Sequence, residues 1–294
     1  MQRTPSLIST DLSLYNRAAT DSATIVIRRY STSFAWANRL MHSRVRADIA
    51  RIYALVRVAD EIVDGPAEAA GIDEEGRRAM LDALEAETTR ACERGYSANL
   101  VVHAFALTAR EYGIGRDLVG PFFASMRADL DAVEFDEDAL ATYIYGSAEV
   151  VGLMCLAVFE GERSRSYGER RALQEGARRL GAAFQKINFL RDYADDRNTL
   201  GRRYFPDTDD ELTDARKDKI VREIRDDLAA ADVAISLLDP SCRSAVWAAR
   251  ALFGELAARI DRTPAAIIAR ERVRVPDLVK AQILLRALAR KVAR

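Results

Sequence analysis

No proline interrupts the chain between Pro121 and Pro206, and only 7 occur in its 294 residues. Over that stretch and nearly everywhere else, apolar residues recur three and four apart, the spacing of one helix face. Helices are predicted at about 14–40, 44–64, 74–94, 97–112, 116–131, 137–160, 167–197, 211–238, 240–262 and 276–292. Turn chemistry separates them: Asp64-Gly65-Pro66, Tyr112-Gly113-Ile114-Gly115, Gly161, Gly201 and Asp239-Pro240. There is no bounded β-type alternation, no tandem repeat and no low-complexity linker. The expectation is an all-α helical chain forming one domain over 1–294, with 1–13 a loose N-terminus.

At 49% hydrophobic, 30% charged and a net charge of −1, the composition is that of a globular chain and not of a nucleic-acid binder. Cys92, Cys155 and Cys242 are odd in number and far apart, without zinc or redox spacing, which fits a reduced, cytoplasmic setting. The N-terminus has no basic region followed by an apolar core, so no signal peptide is expected. The charge-free stretches Ala139–Ala148 and Val150–Phe159 are ten residues each, short of the about 20 apolar residues a bilayer span needs. No integral membrane segment is expected.

The segment ALATYIYGSAEVVGLMCLAVF, 139–159, is apolar around most of its circumference and so belongs in the middle of the protein. Gly146 and Gly152 each lower helix propensity by about 1 kcal/mol relative to alanine. Close helix packing is the preferred explanation; room for a long apolar ligand is the other.

In RIYALVRVADEIVDG, Tyr53, Arg57, Asp60 and Asp64 fall at i, i+4, i+7 and i+11, one stripe on one face. Aspartates four apart repel by about 0.2–0.5 kcal/mol in an isolated helix. Ile52, Leu55, Val56, Ala59, Ile62 and Val63 around the stripe are apolar, which places it inside the protein against a polar cavity. Glu61 lies about 100° off that face. A second stripe occurs in GAAFQKINFLRDYADDRNTLGRRYFP, where Gln185, Asn188, Asp192 and Asp196 fall at i, i+3, i+7 and i+11, flanked by Arg191 and Asp195.

One D-x-x-x-D pair is common on solvated helices; two with matched polar stripes in apolar surroundings are not. Buried anions must be paired or coordinate metal, and a cluster of divalent cations meets that need. Mg²⁺ is expected, with Mn²⁺ as a substitute, because a hard ion binds through a few carboxylates plus substrate phosphates. The only histidines, His42 and His103, lie outside both stripes, against zinc. Arg57, Arg191, Arg202 and Arg203 could hold phosphate oxygens. No Gly-rich phosphate loop or nucleophile elbow competes. Asp129 and Asp131, in MRADLDAVEFDED, could form a third acidic element, but most of that run reads as a solvated loop.

YSTSF (Tyr30–Phe34), the DEIVD block, YIYGSAEVVGLM (Tyr143–Met154) and QKINFLRDYADDRNTLGRRYFP resemble the squalene and phytoene synthases, from about Tyr15 to Pro276. Within that family the chain looks most like the bacterial, particularly actinobacterial, phytoene synthases. The resemblance implies the isoprenoid-synthase fold, a helical bundle around a central cavity with the acidic helices on opposite walls. It implies metal held by Asp60, Asp64, Asp192 and Asp196, with these and Arg57 catalytic. It implies ionisation of one geranylgeranyl diphosphate, attack by a second to give prephytoene diphosphate, then rearrangement to phytoene without NADPH. Position by position it carries over Ser31 and Ser33 to a diphosphate and Phe34 to a prenyl chain. It likewise carries over Tyr53, Arg57, Tyr143, Gln185, Asn188 and Arg191 as substrate contacts, and Arg202 and Tyr204 to a closing loop.

The chain departs from the family at Glu149-Val150-Val151, where many relatives read G-T-V; Glu149 is read as facing away from the cavity and paired with an arginine. The same chemistry on two farnesyl diphosphates, giving squalene or dehydrosqualene, is the alternative. A terpene cyclase or a non-catalytic helical partner fits less well, since the motif blocks and all four aspartates are intact.

From Arg262 to Arg294 nine Lys/Arg face two acids, a local charge of +7. Leu278, Ala281, Leu285, Leu288 and Val292 share one face of the last helix. Packing of that helix on the core is the simpler reading. Contact of its basic side with anionic lipid, on the inner face of the membrane, is the sharper one.

Overall fold

The computed structural model describes residues 5–131, 135–161, 163–199, 204–205 and 212–292; for 5–9, 32–35, 195–199 and 291–292 it describes the backbone alone. All regular structure among them is helical, as the three-and-four periodicity requires. The helices are α1 (Pro5–Tyr30), α2 (Thr32–Arg39), α3 (Ser43–Val63), α4 (Pro66–Ala69), α5 (Glu74–Arg94), α6 (Leu100–Tyr112) and α7 (Arg116–Asp131). They continue with α8 (Glu137–Ile144), a π-helical turn (Tyr145–Glu149), α9 (Val150–Glu160), α10 (Tyr167–Thr199), α11 (Asp214–Leu237), α12 (Pro240–Arg262), α13 (Ala265–Ile268) and α14 (Asp277–Val292).

Two expectations at the N-terminus change. Residues 5–13, expected to be loose, are helical within α1, and the predicted 14–40 helix is broken at Ser31 into α1 and α2. Elsewhere among the described residues, the helices end at Asp64-Gly65, Gly113, Gly161 and Asp239-Pro240, where the sequence placed turns; Gly201 lies outside the described residues. Gly65, at φ 127°, ends α3 in a conformation a side chain would resist. Asp239 accepts from the Ser241 amide at 2.8 Å to cap α12, and Pro240 opens that helix.

Among the described residues two apolar clusters are larger than the rest. One gathers Ile52, Leu55, Phe105, Phe122, Phe123 and Met154 from α3, α6, α7 and α9. The other gathers Ile187, Leu190, Ile224, Leu228, Leu256 and Ile260 from α10, α11 and α12. A buried carboxylate ties α3 to its neighbours: Asp48 accepts from Arg51 at 2.8 Å, Thr108 at 3.0 Å and Tyr112 at 3.0 Å. Three donors satisfy it, as a buried charge demands.

Helices α8 and α9 with the π turn form one continuous element, Glu137–Glu160, of 24 residues and mean hydropathy 1.5 in its best window. By length and composition that element is apolar enough to cross a membrane, because the structure joins the two ten-residue stretches that Glu149 separates. It packs instead against α3, α7 and α10. Its half-buried residues Ser147, Ala148, Val151, Gly152, Cys155 and Phe159 face an internal cavity. Packing explains its glycines. A Cβ on Gly146 would stand 2.2 Å from the Pro121 carbonyl oxygen of α7, and one on Gly152 would stand 2.5 Å from the Ala177 carbonyl oxygen of α10. Gly181 makes the reciprocal approach, 2.5 Å from the Ala148 carbonyl oxygen. Glu149 turns outward and takes Arg178 at 2.7 Å.

At the C-terminus the packing face differs from the expected one. Ile283, Leu284 and Ala287 are buried, while Leu278, Ala281, Leu285 and Leu288 are exposed. The α14 helix docks through the first set against α12 and α2.

Candidate active site

A cavity of about 720 Å³ is lined by residues of both clusters. The α3 wall presents Tyr53, Arg57, Asp60 and Asp64 to it, all four members of the first stripe. Arg57 pairs with Asp60 at 3.8 Å and closely with Glu61, and lies 4.6 Å over the Tyr30 ring. Glu61, off the stripe, thus tethers its arginine. Tyr53 hydrogen-bonds Ser31, another lining residue, and burial raises its phenol's pKa. Burial, then repulsion from Asp64, pushes the Asp60 carboxyl well above the ordinary carboxylate range; Asp129 and Glu61 add to this and Arg57 opposes it.

The α10 wall presents Gln185, Asn188, Arg191 and Asp192. Asp192 is held by Arg191, whose Nε donates at 2.9 Å, and by Arg272, whose Nε lies 2.7 Å from Oδ1. Arg272 comes from the segment between α13 and α14 and lines the cavity. Sequence reasoning missed it, because it lies in the basic tail eighty residues from Asp192 with no periodic signal. Position 196 is one turn further along α10, but its side chain lies outside the described residues, as do the side chains of Ser33 and Phe34 and the whole of Arg202 and Arg203.

A third group closes the polar end. Tyr143 is buried and its hydroxyl donates to Asp129 Oδ2 at 2.8 Å; Tyr204 donates to Asp129 Oδ1 at 3.2 Å. The Tyr204 ring stacks on Phe189 at 4.1 Å and lies 5.5 Å from that of Tyr143. Burial, then the Asp129 charge, raises the Tyr143 phenol well above its usual value. The reading of Asp129 as part of a solvated loop is therefore corrected: it is 8% exposed, on α7, and faces the cavity. Phe122, Ser125, Met126 and Asp129 share the buried face of α7, a spacing that could have revealed it. Asp131 is exposed and paired with Arg78.

Beyond these groups the lining is apolar, from Val151 and Leu156 to Leu180, Phe184, Ile235 and Phe253. One end therefore suits an anionic head and the remainder a long hydrocarbon. Four lining residues carry a buried polar atom without a hydrogen-bond partner: Asn38 Oδ1, Arg57 Nε, Ser147 Oγ and Asn188 Oδ1. Such atoms cost about 1–3 kcal/mol each unless a ligand or water meets them. A divalent cation fits the donor set. The destabilised Asp60 beside Asp64 is a negative site in want of a counter-charge. Among the described residues no three acidic, cysteine or histidine side chains converge to hold a metal alone. That suits an ion sharing two carboxylates with substrate phosphates.

Comparison with known proteins agrees with this geometry. Residues 27–278 match the squalene/phytoene synthase family. A 15-cis-phytoene synthase of Paracoccus sp. is 28% identical over 258 residues, covering 82% of both chains. A 4,4'-diapophytoene synthase of Staphylococcus haemolyticus is 27% identical over 61% of this chain and 59% of its own. Among solved structures, a dehydrosqualene synthase in complex with ligand superposes with a TM-score of 0.77 over 95% of this chain and 98% of that one, at 20% identity. With the family matched over most of its length and the terpenoid-synthase fold shared, this chain belongs to the squalene/phytoene synthase family.

Proposed function

We propose that the chain is a phytoene synthase, condensing two geranylgeranyl diphosphates head to head through prephytoene diphosphate. The observation that carries this reading is one cavity with facing acidic helices at its polar end and an apolar remainder. The match to the Paracoccus 15-cis-phytoene synthase over 82% of both chains supports the C20 substrate over the C15 one. The farnesyl reaction stays as the second reading, on the shorter match to the 4,4'-diapophytoene synthase.

In this proposal Asp60 on α3 and Asp64 at its C-cap, with Asp192 and Asp196 on α10, would hold Mg²⁺. When bound, Mg²⁺ supplies the positive charge that lets a diphosphate leave. Arg57, Arg191 and Arg272 hold phosphate oxygens in place of the carboxylates they grip without substrate. The unpartnered Arg57 Nε and Asn188 Oδ1 then gain partners from the substrate and its hydration. Ser31 and Tyr53 border the same phosphates; the family resemblance assigns Ser33 to them and Phe34 to the prenyl chain, with both side chains outside the described residues. The resemblance also assigns Arg202, outside the described residues, to the diphosphates beside Tyr204. The Tyr143 ring, oriented by Asp129, presents a π face to the allylic cation. The apolar lining keeps water away, so the cation meets the second double bond instead.

The test offers purified protein C15 and C20 diphosphates with Mg²⁺, with and without NADPH. A C40 hydrocarbon with a central conjugated triene, formed from the C20 substrate without NADPH, is expected. Exclusive C30 products would replace the proposal with the farnesyl reading.

A further inference from the structure

We infer that a second pocket, between α1, α2 and α3, is a binding site for a small hydrogen-bearing phosphate anion, orthophosphate or diphosphate, whichever prenyl chain length the cavity takes. The pocket has a volume of about 420 Å³, and its lining includes Arg28 from α1, Arg39 from α2 and Arg46 from α3. No acidic side chain stands on its wall. Among the described residues none of the three arginines forms an ion pair. Three helices thus bring one cation each to one concavity, where like charges repel until an anion enters. Guanidinium forks suit phosphate oxygens.

A buried group makes the pocket more than a basic surface. Asn38 lines it and is 6% exposed. Its Nδ2 donates to the Arg46 carbonyl oxygen at 3.1 Å, which turns the amide toward α3, while its Oδ1 is buried without a donor. An acceptor among cations calls for a ligand that carries hydrogen as well as negative charge. At neutral pH a carboxylate or sulfate has no hydrogen to give. A monohydrogen phosphate has P–O⁻ for the arginines and one P–OH for Asn38.

The start of α3 adds to the field. Ser43, its first residue, lines the pocket, and the N-cap His42 makes no side-chain hydrogen bond to the first turn. The positive end of a 21-residue helix therefore stands at the pocket without a side-chain cap. Ile27 and Asn38 line both this pocket and the prenyl cavity, so an anion here braces a wall that the two spaces share. Diphosphate is what a prenyl-diphosphate condensation releases, and orthophosphate is a common solute; the same groups hold either.

The test is calorimetric titration of the full chain with diphosphate and, separately, with orthophosphate, in EDTA at constant ionic strength, with sulfate as the control. Because the cavity has arginines of its own, R57Q/R191Q is the starting protein, and R28Q/R46Q is added to it. The starting protein is expected to bind one phosphate anion, and the added pair to weaken that binding at least tenfold with an unchanged circular dichroism spectrum. Whichever phosphate binds the tighter is the ligand. N38L keeps every arginine and is expected to weaken phosphate binding several-fold while leaving sulfate binding unmoved. Binding by the parent that vanishes in R57Q/R191Q would put the anion in the cavity alone and overturn the inference. So would equal affinity with and without Arg28 and Arg46, or sulfate binding as tightly as either phosphate.

Discussion

Tyr143 gives its phenolic hydrogen to Asp129 across 2.8 Å, and so a carboxylate from α7 fixes an aromatic ring of α8 at the wall of the cavity. Tyr204 donates to the other carboxylate oxygen at 3.2 Å, so one buried anion orients two rings. If those rings serve the cation, the anion serves by aiming them. Replacing Asp129 by Asn keeps the shape and removes the charge that both phenols face. A hydrogen bond to a charged group is worth about 1.5–3 kcal/mol, so kcat should fall by roughly 10–150-fold. The drop should be in kcat more than in KM, measured with saturating Mg²⁺. An unchanged kcat in both Asp129→Asn and Tyr143→Phe would remove the triad from the reaction.

Asp60 and Asp64 illustrate a conflict between folding and function. Burial and mutual repulsion hold the Asp60 carboxyl well above its usual range, so this helix carries a charge that the metal-free fold does not want. Asp60→Asn should abolish turnover and, without metal, raise the urea midpoint relative to the parent. Added Mg²⁺ with a diphosphate should stabilise the parent, by mass action on the folded state, and leave the variant unmoved. Turnover within a few-fold of the parent would refute the metal assignment.

Much of this was readable before any coordinates. The stripes at 53, 57, 60, 64 and 185, 188, 192 line the cavity because a seven- and eleven-residue spacing returns to one helix face. The outward turn of Glu149 and its pairing with an arginine were expected because a lone charge does not belong on an apolar wall, and the structure supplies Arg178 as the partner. What escaped were residues whose role depends on packing between helices. Asp129 looked like one acid among several, and only burial distinguishes it from exposed Asp131. Arg272 reaches Asp192 across the fold. In α14 the sequence holds two apolar faces, and periodicity alone does not say which one meets α12.

The crossing of the π turn with α10 depends on backbone contact that side chains would block. A Cβ on Gly181 would stand 2.5 Å from the Ala148 carbonyl oxygen and 3.1 Å from Glu149 Cα. Neither is the tip of a flexible side chain, so the helices themselves must separate. Gly181→Ala should cost about 1–3 kcal/mol in urea denaturation, despite alanine's better helix propensity. Because the crossing forms the cavity wall, the variant should also raise KM. A variant as stable as the parent would show that this contact relaxes freely.

Two thiols supply an alkaline signature. Burial pushes Cys155 and Cys242 up to about 12, whereas an unfolded chain ionises its thiols near 8.5. Folded-state values raised above unfolded ones contribute stability that is complete below about pH 8.5, and that stability is lost as pH climbs toward about 12. Tyrosines titrate over part of the same range, so the difference between two proteins is the informative quantity. The double variant Cys155→Ala, Cys242→Ala lacks the linkage, and removal of the sulfurs makes it less stable than the parent at pH 8. As pH rises the parent loses the contribution of these two thiols and the variant does not, while Cys92, also raised by burial, is common to both; the gap between their urea midpoints should therefore narrow from pH 8 to pH 10.5. A gap that stays constant over that range would mean the two thiols ionise as easily in the folded protein as in the unfolded chain.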